Sequence, residues 1–527
     1  MHIAFRVDAS QAMGTGHVRR CLSLAHALGV LGAHTQFICR HQDDVSAQVI
    51  PSHQPCHWLT PIQPTPTVPE EHPTPHANWG LVHWTQDADQ TVAALQANPP
   101  NWLVVDHYAW DTRWHHRVRT GLRCRLMVID DLADRPLQAD LLFDHNLHTN
   151  HRIKYGSAIA PETRLLAGPR YALLSQRYAT AMRYRFSENV RSIGIFMGGT
   201  DPDDLSSQAL IACRDVARFT GEVVLVSSTH SPHHVQRVTL AAQWPRTRVV
   251  ADLPDLSKFF AGHDLQIGAG GGAAWERCCL GAPTVAWAIA ANQQAVLPQL
   301  AALGAVQLVE VPGIDASPQA LGQAIADLIA QPERRQHLSQ KASGLVDGLG
   351  SARVAAVLDL SVTAALRLRP ANLKDEQLLL DWSNEPLTRR NAFNPQPIAA
   401  STHAGWLRDR LDKPDTCVFL IAQARNGMAV GNIRFERDAA CEPWWLSYSL
   451  DAAFRGLGLA RVLVQQGMQQ LGHHTAQTGI VRAFVKTDNR ASLKTFVALS
   501  FSETRTTHQG HDVYCFHKPL THPGTHP

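Results

Sequence analysis

The chain opens on an apolar strand that runs through a glycine-bearing polar turn into a helix, and this order leaves few folds open. Ile3-Ala4-Phe5 is a run of buried-strand type, and Leu24, Ala27, Leu28 and Leu31 recur at helical spacing. Between them lies Arg6-Val7-Asp8-Ala9-Ser10-Gln11-Ala12-Met13-Gly14-Thr15-Gly16-His17-Val18-Arg19-Arg20-Cys21. Such a strand–turn–helix unit belongs to an α/β fold, which binds ligands in the crevice where the strand ends and the helix begins. Gly14 and Gly16 let backbone N–H groups approach a ligand, with Thr15 between them, and the helix start favours negative charge. His17 stands at that start, either aimed into the crevice as a reactive group or serving as a capping or core histidine. The dinucleotide fingerprint is incomplete, because Arg19 and Arg20 occupy the place where helix packing calls for a third small residue.

The same alternation continues. Thr35–Cys39, Trp102–Asp106, Arg125–Ile129 and Asp140–Asp144 read as further strands, the last closing this half, with a helical segment from Trp84 to Ala97. Strands that alternate with helices imply a parallel sheet covered on both faces. Asp106, Asp130, Asp131 and Asn146 fall at carboxyl ends of strands, where ligands bind, although a turn or cap role accounts better than catalysis for any one of them. Residues Pro51 to Trp79, rich in Pro, His and Thr, read as a surface excursion.

A second α/β half begins near Asn189. Ile193–Met197 is a strand, and Gly198-Gly199-Thr200-Asp201-Pro202 is its turn into a helix. Glu222–Val226, Thr247–Val250, Asp264–Gly268 and Gly281–Trp287 are further strand segments, with a helix around Leu253 to Phe260. After Gly268 comes Ala269-Gly270-Gly271-Gly272-Ala273-Ala274-Trp275-Glu276, a glycine loop feeding a helix. Gly270, Gly271 and Gly272 could cradle phosphate with free N–H groups and the helix dipole, or could form a tight close-packed turn. Glu276, one turn into the helix, is placed to accept hydrogen bonds from ribose hydroxyls.

The Gly14–His17 string closely resembles the opening of the UDP-sugar hydrolases of pseudaminic acid biosynthesis. Val128–Arg135, Leu166–Leu174, Gly270–Glu276 and Asn292-Gln293 are similar to segments of the same family. The resemblance runs from Met1 to about Leu358. It implies two Rossmann-like domains of GT-B type, with His17 as general base. It also implies UDP and substrate binding at Gly14, Thr15, Gly16, Arg170, Gly198, Gly199, Gly270, Gly271, Gly272, Glu276, Asn292 and Gln293. The glycosyltransferase that makes the peptidoglycan lipid precursor is more distantly similar. The chemistry is consistent with the resemblance. UDP leaves as a stable anion, so no acid is needed, unlike an ordinary glycosidase with its two carboxylates. A diphosphate cradle and one base suffice, and an unperturbed histidine titrates near neutrality. No clustered Asp-x-Asp motif is visible, and no metal is expected.

A third pattern starts at Ala365–Pro370, an alternating strand. Helical segments at Asn372–Asn384 and Ser401–Leu411 follow, then a strand at Cys417–Ile421, an Asn426-Gly427 hairpin turn and a returning strand at Gly431–Phe435. Trp445–Leu450 alternates and leads to Phe454-Arg455-Gly456-Leu457-Gly458-Leu459-Ala460 and a helix over Leu459–Leu471. Arg455-x-x-Gly458-x-Ala460 resembles the pyrophosphate loop of the GNAT acetyltransferases, and Lys486–Ser492 and Ser500-Phe501 fit the same family. The resemblance implies acetyl-CoA as co-substrate, held at Leu450, Arg455, Gly456, Gly458, Ala460, Asn489 and Ser492. It also points to acetyltransferases that modify the 4-amino group of a UDP-linked amino sugar. Two departures stand out. The tyrosine that many members carry seven residues beyond the asparagine is Phe496, leaving Tyr448, Tyr514 or water as the acid, and the usual glycine before the final phenylalanine is Ser500.

The 527 residues suit about three domains: residues 1–170 and 171–360 as the Rossmann-like pair, 361–520 as the GNAT domain, and 521–527 as a disordered tail. A net charge of +3 with mixed signs demands neither nucleic acid nor membrane as partner. The ten cysteines lack ligand-like spacing, and the chain opens directly into a strand; both fit a cytoplasmic protein. The reading is a bifunctional enzyme. Its GNAT domain acetylates a UDP-amino-sugar. Its first part then hydrolyses UDP-2,4-diacetamido-2,4,6-trideoxy-β-L-altropyranose to UDP and free sugar. A glycosyltransferase and a nucleotide-sugar sensor are the rival readings; sugar stereochemistry and oligomeric state stay open.

Overall fold

The computed structural model describes residues 1–11, 13–42, 45–60, 73–199, 201–287, 296–309, 317–439, 442–475 and 479–520. The chain forms two compact units, Met1–Ala355 and Ala356–Pro527.

The first unit holds two parallel sheets. Strands β1 (His2–Val7), β2 (His34–Arg40), β3 (Cys56–Leu59), β4 (Trp102–Asp106), β5 (Arg125–Ile129), β6 (Leu141–Asp144) and β7 (Arg164–Ala167) lie in the order β3-β2-β1-β4-β5-β6-β7. The chain starts in mid-sheet and winds outward both ways, so β1 and β4 are neighbours, with Ile3 beside Trp102 and Val7 beside Asp106. Their ends form the switch point where crevices open. Ile3, Ala4, Phe5, Leu103, Val104 and Val105 are fully buried, as strands covered on both faces must be. Two sequence expectations change here. The Pro-rich excursion contains an edge strand, β3, because Cys56-His57-Trp58-Leu59 is a proline-free run that can complete hydrogen bonds to β2. Asp140–Asp144 is not the last strand: Arg164–Ala167 adds β7 beside β6.

The second sheet orders β8 (Ser192–Phe196), β9 (Glu222–Ser227), β10 (Thr247–Ala251), β11 (Leu265–Ala269), β12 (Thr284–Trp287) and β13 (Gln307–Val309) as β10-β9-β8-β11-β12-β13. It too winds both ways from its first strand, so the two halves have the Rossmann-like form that the sequence predicts. Cores of Ile193, Ile195, Leu225 and Ile267 on one face, and Phe260, Trp275 and Leu297 on the other, fill the space under its helices.

The second unit is built on one mixed sheet. Strands β14 (Arg367–Pro370), β15 (Cys417–Gln423), β16 (Ala429–Glu436), β17 (Trp444–Leu450), β18 (Ile480–Lys486), β19 (Ser502–His508) and β20 (His511–Pro519) run in the order β14-β15-β16-β17-β18-β20-β19. All neighbours are antiparallel except β17 and β18, which are parallel and pair only at Trp444–Val481 and Trp445–Arg482. Beyond those two pairs the strands part, opening a wedge at the end where Leu450 and Lys486 lie. The helix Leu459–His474 packs under β16, with Gly467 against Ile433.

Candidate functional site

His17 belongs to the first turn of the helix Gly16–Val30 and is buried. Its Nδ1 lies 2.6 Å from Asp106 Oδ1. With the ring proton on Nδ1 donated to that carboxylate, the lone pair sits on Nε2, which no described residue hydrogen-bonds. Arg20, one turn along, donates to both Asp106 oxygens at 2.6 Å. Burial disfavours the Asp106 charge, but the Arg20 guanidinium and the His17 imidazole hold its carboxyl well below the ordinary range. The result is a histidine fixed in tautomer and orientation by an ionised acid.

Tyr108 stands edge-on to the His17 ring, with centroids 4.8 Å apart at 79°. Its hydroxyl donates to Asp131. Burial, and next the Asp131 charge, push that hydroxyl well above its ordinary value, so it stays protonated. The other Asp131 oxygen accepts from Asn146 Nδ2 at 3.0 Å, and Asn146 Oδ1 accepts from the Trp275 indole at 3.3 Å, which belongs to the second half. His145 is buried beside them; burial, then Arg20, pushes its imidazole down to about 3, which keeps it neutral. Of the strand-end residues, Asp106, Asp131 and Asn146 join the cluster. Asp130 takes the turn role, accepting from Leu132 and Ala133 N–H groups and from Arg135.

The glycine positions separate into different roles. Gly14 has φ +74°, and its N–H closes a turn onto Ser10. Thr15 caps the first helix without a side-chain bond to its backbone, its Oγ1 accepting instead from Arg19 Nε at 3.3 Å, and Gly16 has open space where a Cβ would stand. Across the crevice a Cβ on Gly199 would stand 3.0 Å from Thr15 Oγ1, so the two glycine turns face each other closely. Gly198 adopts φ +121°. The helix after this second turn starts only at Leu205, and Asp201 already accepts its Leu205 and Ser206 N–H groups. Its N-terminus is therefore occupied.

The helix Gly272–Leu280 differs. Its cap, Gly271, makes no side-chain bond, and Gly271 and Gly272 are exposed, leaving the first N–H groups for an anion. Gly270 takes the packing role, since a Cβ there would stand 2.7 Å from the Leu297 side chain. Glu276 is half-buried at the crevice. Burial pushes its carboxyl up to about 7, against a hydrogen bond from Tyr178 and the more distant Arg19. Arg170 stands in the short turn Pro169–Tyr171, its guanidinium 5.5 Å over the Tyr171 ring. Asn292 and Gln293 lie outside the described residues.

In the second unit Gly456 and Gly458 adopt φ +78° and +76°. Gly458 caps the helix Leu459–His474 without a side-chain bond; the Arg461 N–H turns back to the Gly458 carbonyl at 3.3 Å, and the N–H groups of Leu459 and Ala460 precede it at the helix start. Arg455 shapes the turn: Nε donates to the Leu450 carbonyl at 3.0 Å and Nη2 to Glu385 at 2.8 Å. Asn489 caps the helix Arg490–Ala498 by accepting the Ser492 N–H. Tyr448, on β17, donates to Ser492 Oγ at 3.1 Å. Phe496 is buried among Phe501 and Phe516, each with its centroid 5.0 Å away.

Sequence reasoning missed Arg20, Tyr108, Tyr178 and Trp275 as parts of these sites. The arginine beside His17 and the tyrosine two residues after Asp106 were visible signals; no local signal marks the other two.

Among the described residues no cluster of His, Cys, Asp or Glu could hold a metal ion, and no helix is long and apolar enough to cross a membrane. The chain is 22% identical to the spore coat polysaccharide biosynthesis protein SpsG of Bacillus subtilis over 369 residues, 68% of this chain and 98% of that protein. Among solved structures, MurG of Acinetobacter baumannii is similar, at 12% identity over 68% of this chain and 99% of its own, with a TM-score of 0.47. Spermidine N-acetyltransferase of Vibrio cholerae, in complex with CoA and spermine, is similar at 11% identity over 30% of this chain and 96% of its own, with a TM-score of 0.27. Residues 365–502 match the family model of the acetyltransferase (GNAT) domain. The chain thus carries a pair of Rossmann-like sheets followed by a GNAT acetyltransferase domain.

Proposed function

We propose that the chain is a bifunctional nucleotide-sugar enzyme in which the first unit hydrolyses a UDP-sugar and the GNAT domain acetylates the amino-sugar that precedes it. The observation that carries the hydrolase reading is the Asp106–His17 pair, its Nε2 unclaimed by any described residue, in the same crevice as the helix Gly272–Leu280, which no described side chain caps. His17 Nε2 takes a proton from water as the water oxygen bonds to the anomeric carbon. The bond from that carbon to the diphosphate oxygen breaks with inversion, and UDP leaves as an anion. N–H groups at Gly272 and Ala273 hold the departing charge, and Glu276 accepts from the ribose hydroxyls. The substrate class is the UDP-2,4-diacetamido-2,4,6-trideoxy sugar of pseudaminic acid biosynthesis, a reading that rests on the resemblance of Gly14–His17 and Gly270–Glu276.

In the second unit the turn at Gly456, Gly458 and Ala460 suits the pyrophosphate of acetyl-CoA, and the wedge between β17 and β18 suits its acyl end. The sugar amine attacks the thioester carbonyl, its nitrogen gives up a proton to water, the carbon–sulfur bond breaks, and CoA leaves as thiolate, which an acid protonates. Tyr448 is the acid we assign, since Phe496 has no hydroxyl and Tyr448 reaches the same helix.

The test follows CoA and UDP release from the whole chain given the UDP-4-amino-4,6-dideoxy sugar, with and without acetyl-CoA. CoA should appear first and UDP after it, and His17→Ala should stall after acetylation. UDP release that waits for an added sugar or lipid acceptor would replace hydrolase by glycosyltransferase.

A further inference from the structure

The groups around His17 and those of the glycine helix lie on different halves, and one chain of hydrogen bonds connects them. Trp275 sits in the first turn of the helix Gly272–Leu280 and is 1% exposed, so a ligand at the helix start does not touch its ring. Its indole N–H donates to Asn146 Oδ1, Asn146 Nδ2 donates to Asp131 Oδ2, and Tyr108 donates to Asp131 Oδ1. Tyr108 packs edge-on against the His17 ring. Every donor in this chain meets an acceptor, and each link fixes the orientation of the next. The Asn146 amide cannot turn over without setting its NH2 against the indole N–H and its oxygen against the Asp131 carboxylate. Although burial opposes it, the Arg20 charge, and next the Tyr108 bond, keep Asp131 below its ordinary carboxylate range. Asp131 therefore stays an acceptor for both neighbours.

We infer that Trp275, through Asn146 and Asp131, is a positioning residue that sets the orientation of Tyr108, the ring packed against the Asp106-bound His17, according to the place of the nucleotide-binding helix. The inference rests on the hydrolase reading, because it takes that helix as the seat of the UDP diphosphate. It assigns the Trp275 indole a function that the apolar core alone does not require: Phe at this position would keep a smaller aromatic ring in the core but donate nothing to Asn146.

The experiment uses the whole chain and Trp275→Phe, with UDP as the probe. Three quantities are read: the UDP dissociation constant by calorimetry, the response of the His17 ring resonances to UDP by NMR, and kcat against KM for UDP release. Wild type should bind UDP and shift the His17 resonances on binding. The variant should bind UDP within about threefold of wild type, lose most of the His17 response, and lose about tenfold in kcat with little change in KM. Asn146→Leu, which cuts the chain one link further on, should reproduce the kcat loss. If the His17 response and kcat of W275F match wild type while UDP still binds, the inference falls and the hydrolase reading stands. If UDP affinity, kcat and melting temperature decline together, Trp275 is a packing residue only and the inference also falls. If wild type does not bind UDP at all, the hydrolase reading falls and takes the inference with it.

Discussion

Asp106 shows how much one carboxylate can decide. It holds the Nδ1 proton of His17 and is itself held ionised by Arg20. Asp106→Asn keeps the shape but can present an N–H to the ring and favour the wrong tautomer. It should lower kcat for UDP release by about a hundredfold or more while leaving the UDP dissociation constant near wild type. Glu276 carries the opposite shift, with burial raising it to about 7. A carboxyl raised above its unfolded value adds stability that is complete below about pH 4.5 and is lost as pH rises through about 7. Glu276→Gln should therefore melt higher than wild type at pH 8 and about equally at pH 4. Calorimetry should show wild-type UDP affinity falling as pH drops through 7, since ribose hydroxyls donate to the ionised form, and the variant should lose that dependence. His17 was legible in the sequence because everything that marks it is within a few residues. Its partner was legible only as a strand-end acid: Asp106 is 89 positions away, and the β1–β4 adjacency brings the two together.

At the scale of elements, glycine turns were the most legible features and also the easiest to read too uniformly. The strand-to-helix turns at Gly198 and at Gly270 look alike in sequence, yet Asp201 fills one helix start and no side chain among the described residues caps the other. Within the second turn Gly270 serves packing and Gly272 serves open space. β3 was hidden for another reason: it lies inside a stretch rich in Pro, His and Thr, whose composition masks a strand of four residues. Ser500 is a local conflict of the same kind. It sits at φ +56° after the helix Arg490–Ala498, a left-handed position that favours glycine. Relief of about 1–2 kcal/mol of strain, less about 0.5–1 kcal/mol of added chain entropy, predicts that Ser500→Gly stabilises the protein by about 0.5–1 kcal/mol in urea unfolding.

Over the whole molecule, the two units are built on separate sheets, and the order of elements along the chain follows the change in sheet type. A βα alternation with glycine turns gives way after about Leu360 to antiparallel hairpin patterns that close around one βα turn. The sequence did not announce the charge buried inside the first sheet. Arg6 is fully buried on β1 and bonds Asp8 at 2.7 Å and Asp87 at 2.6 Å; Arg40, on β2, bonds Asp87 at 2.8 Å, and His107 Nε2 lies 3.3 Å from Asp8. Removing one member leaves an unmatched ion in a closed space, at a cost of about 3–5 kcal/mol. Arg6→Met should therefore lower the melting temperature of the whole chain markedly, while CoA release by the second unit persists at temperatures below the new transition.

That network also bears on how such a chain can change over generations. No single replacement that removes a charge at Arg6, Asp8, Arg40 or Asp87 leaves the remaining charges balanced, whereas a simultaneous exchange of the set for apolar side chains of similar volume can be tolerated. Among diverged descendants these four positions should be inherited as a block, altered together or kept together, and their joint variation would trace the β1–β2 pairing without any structure at hand.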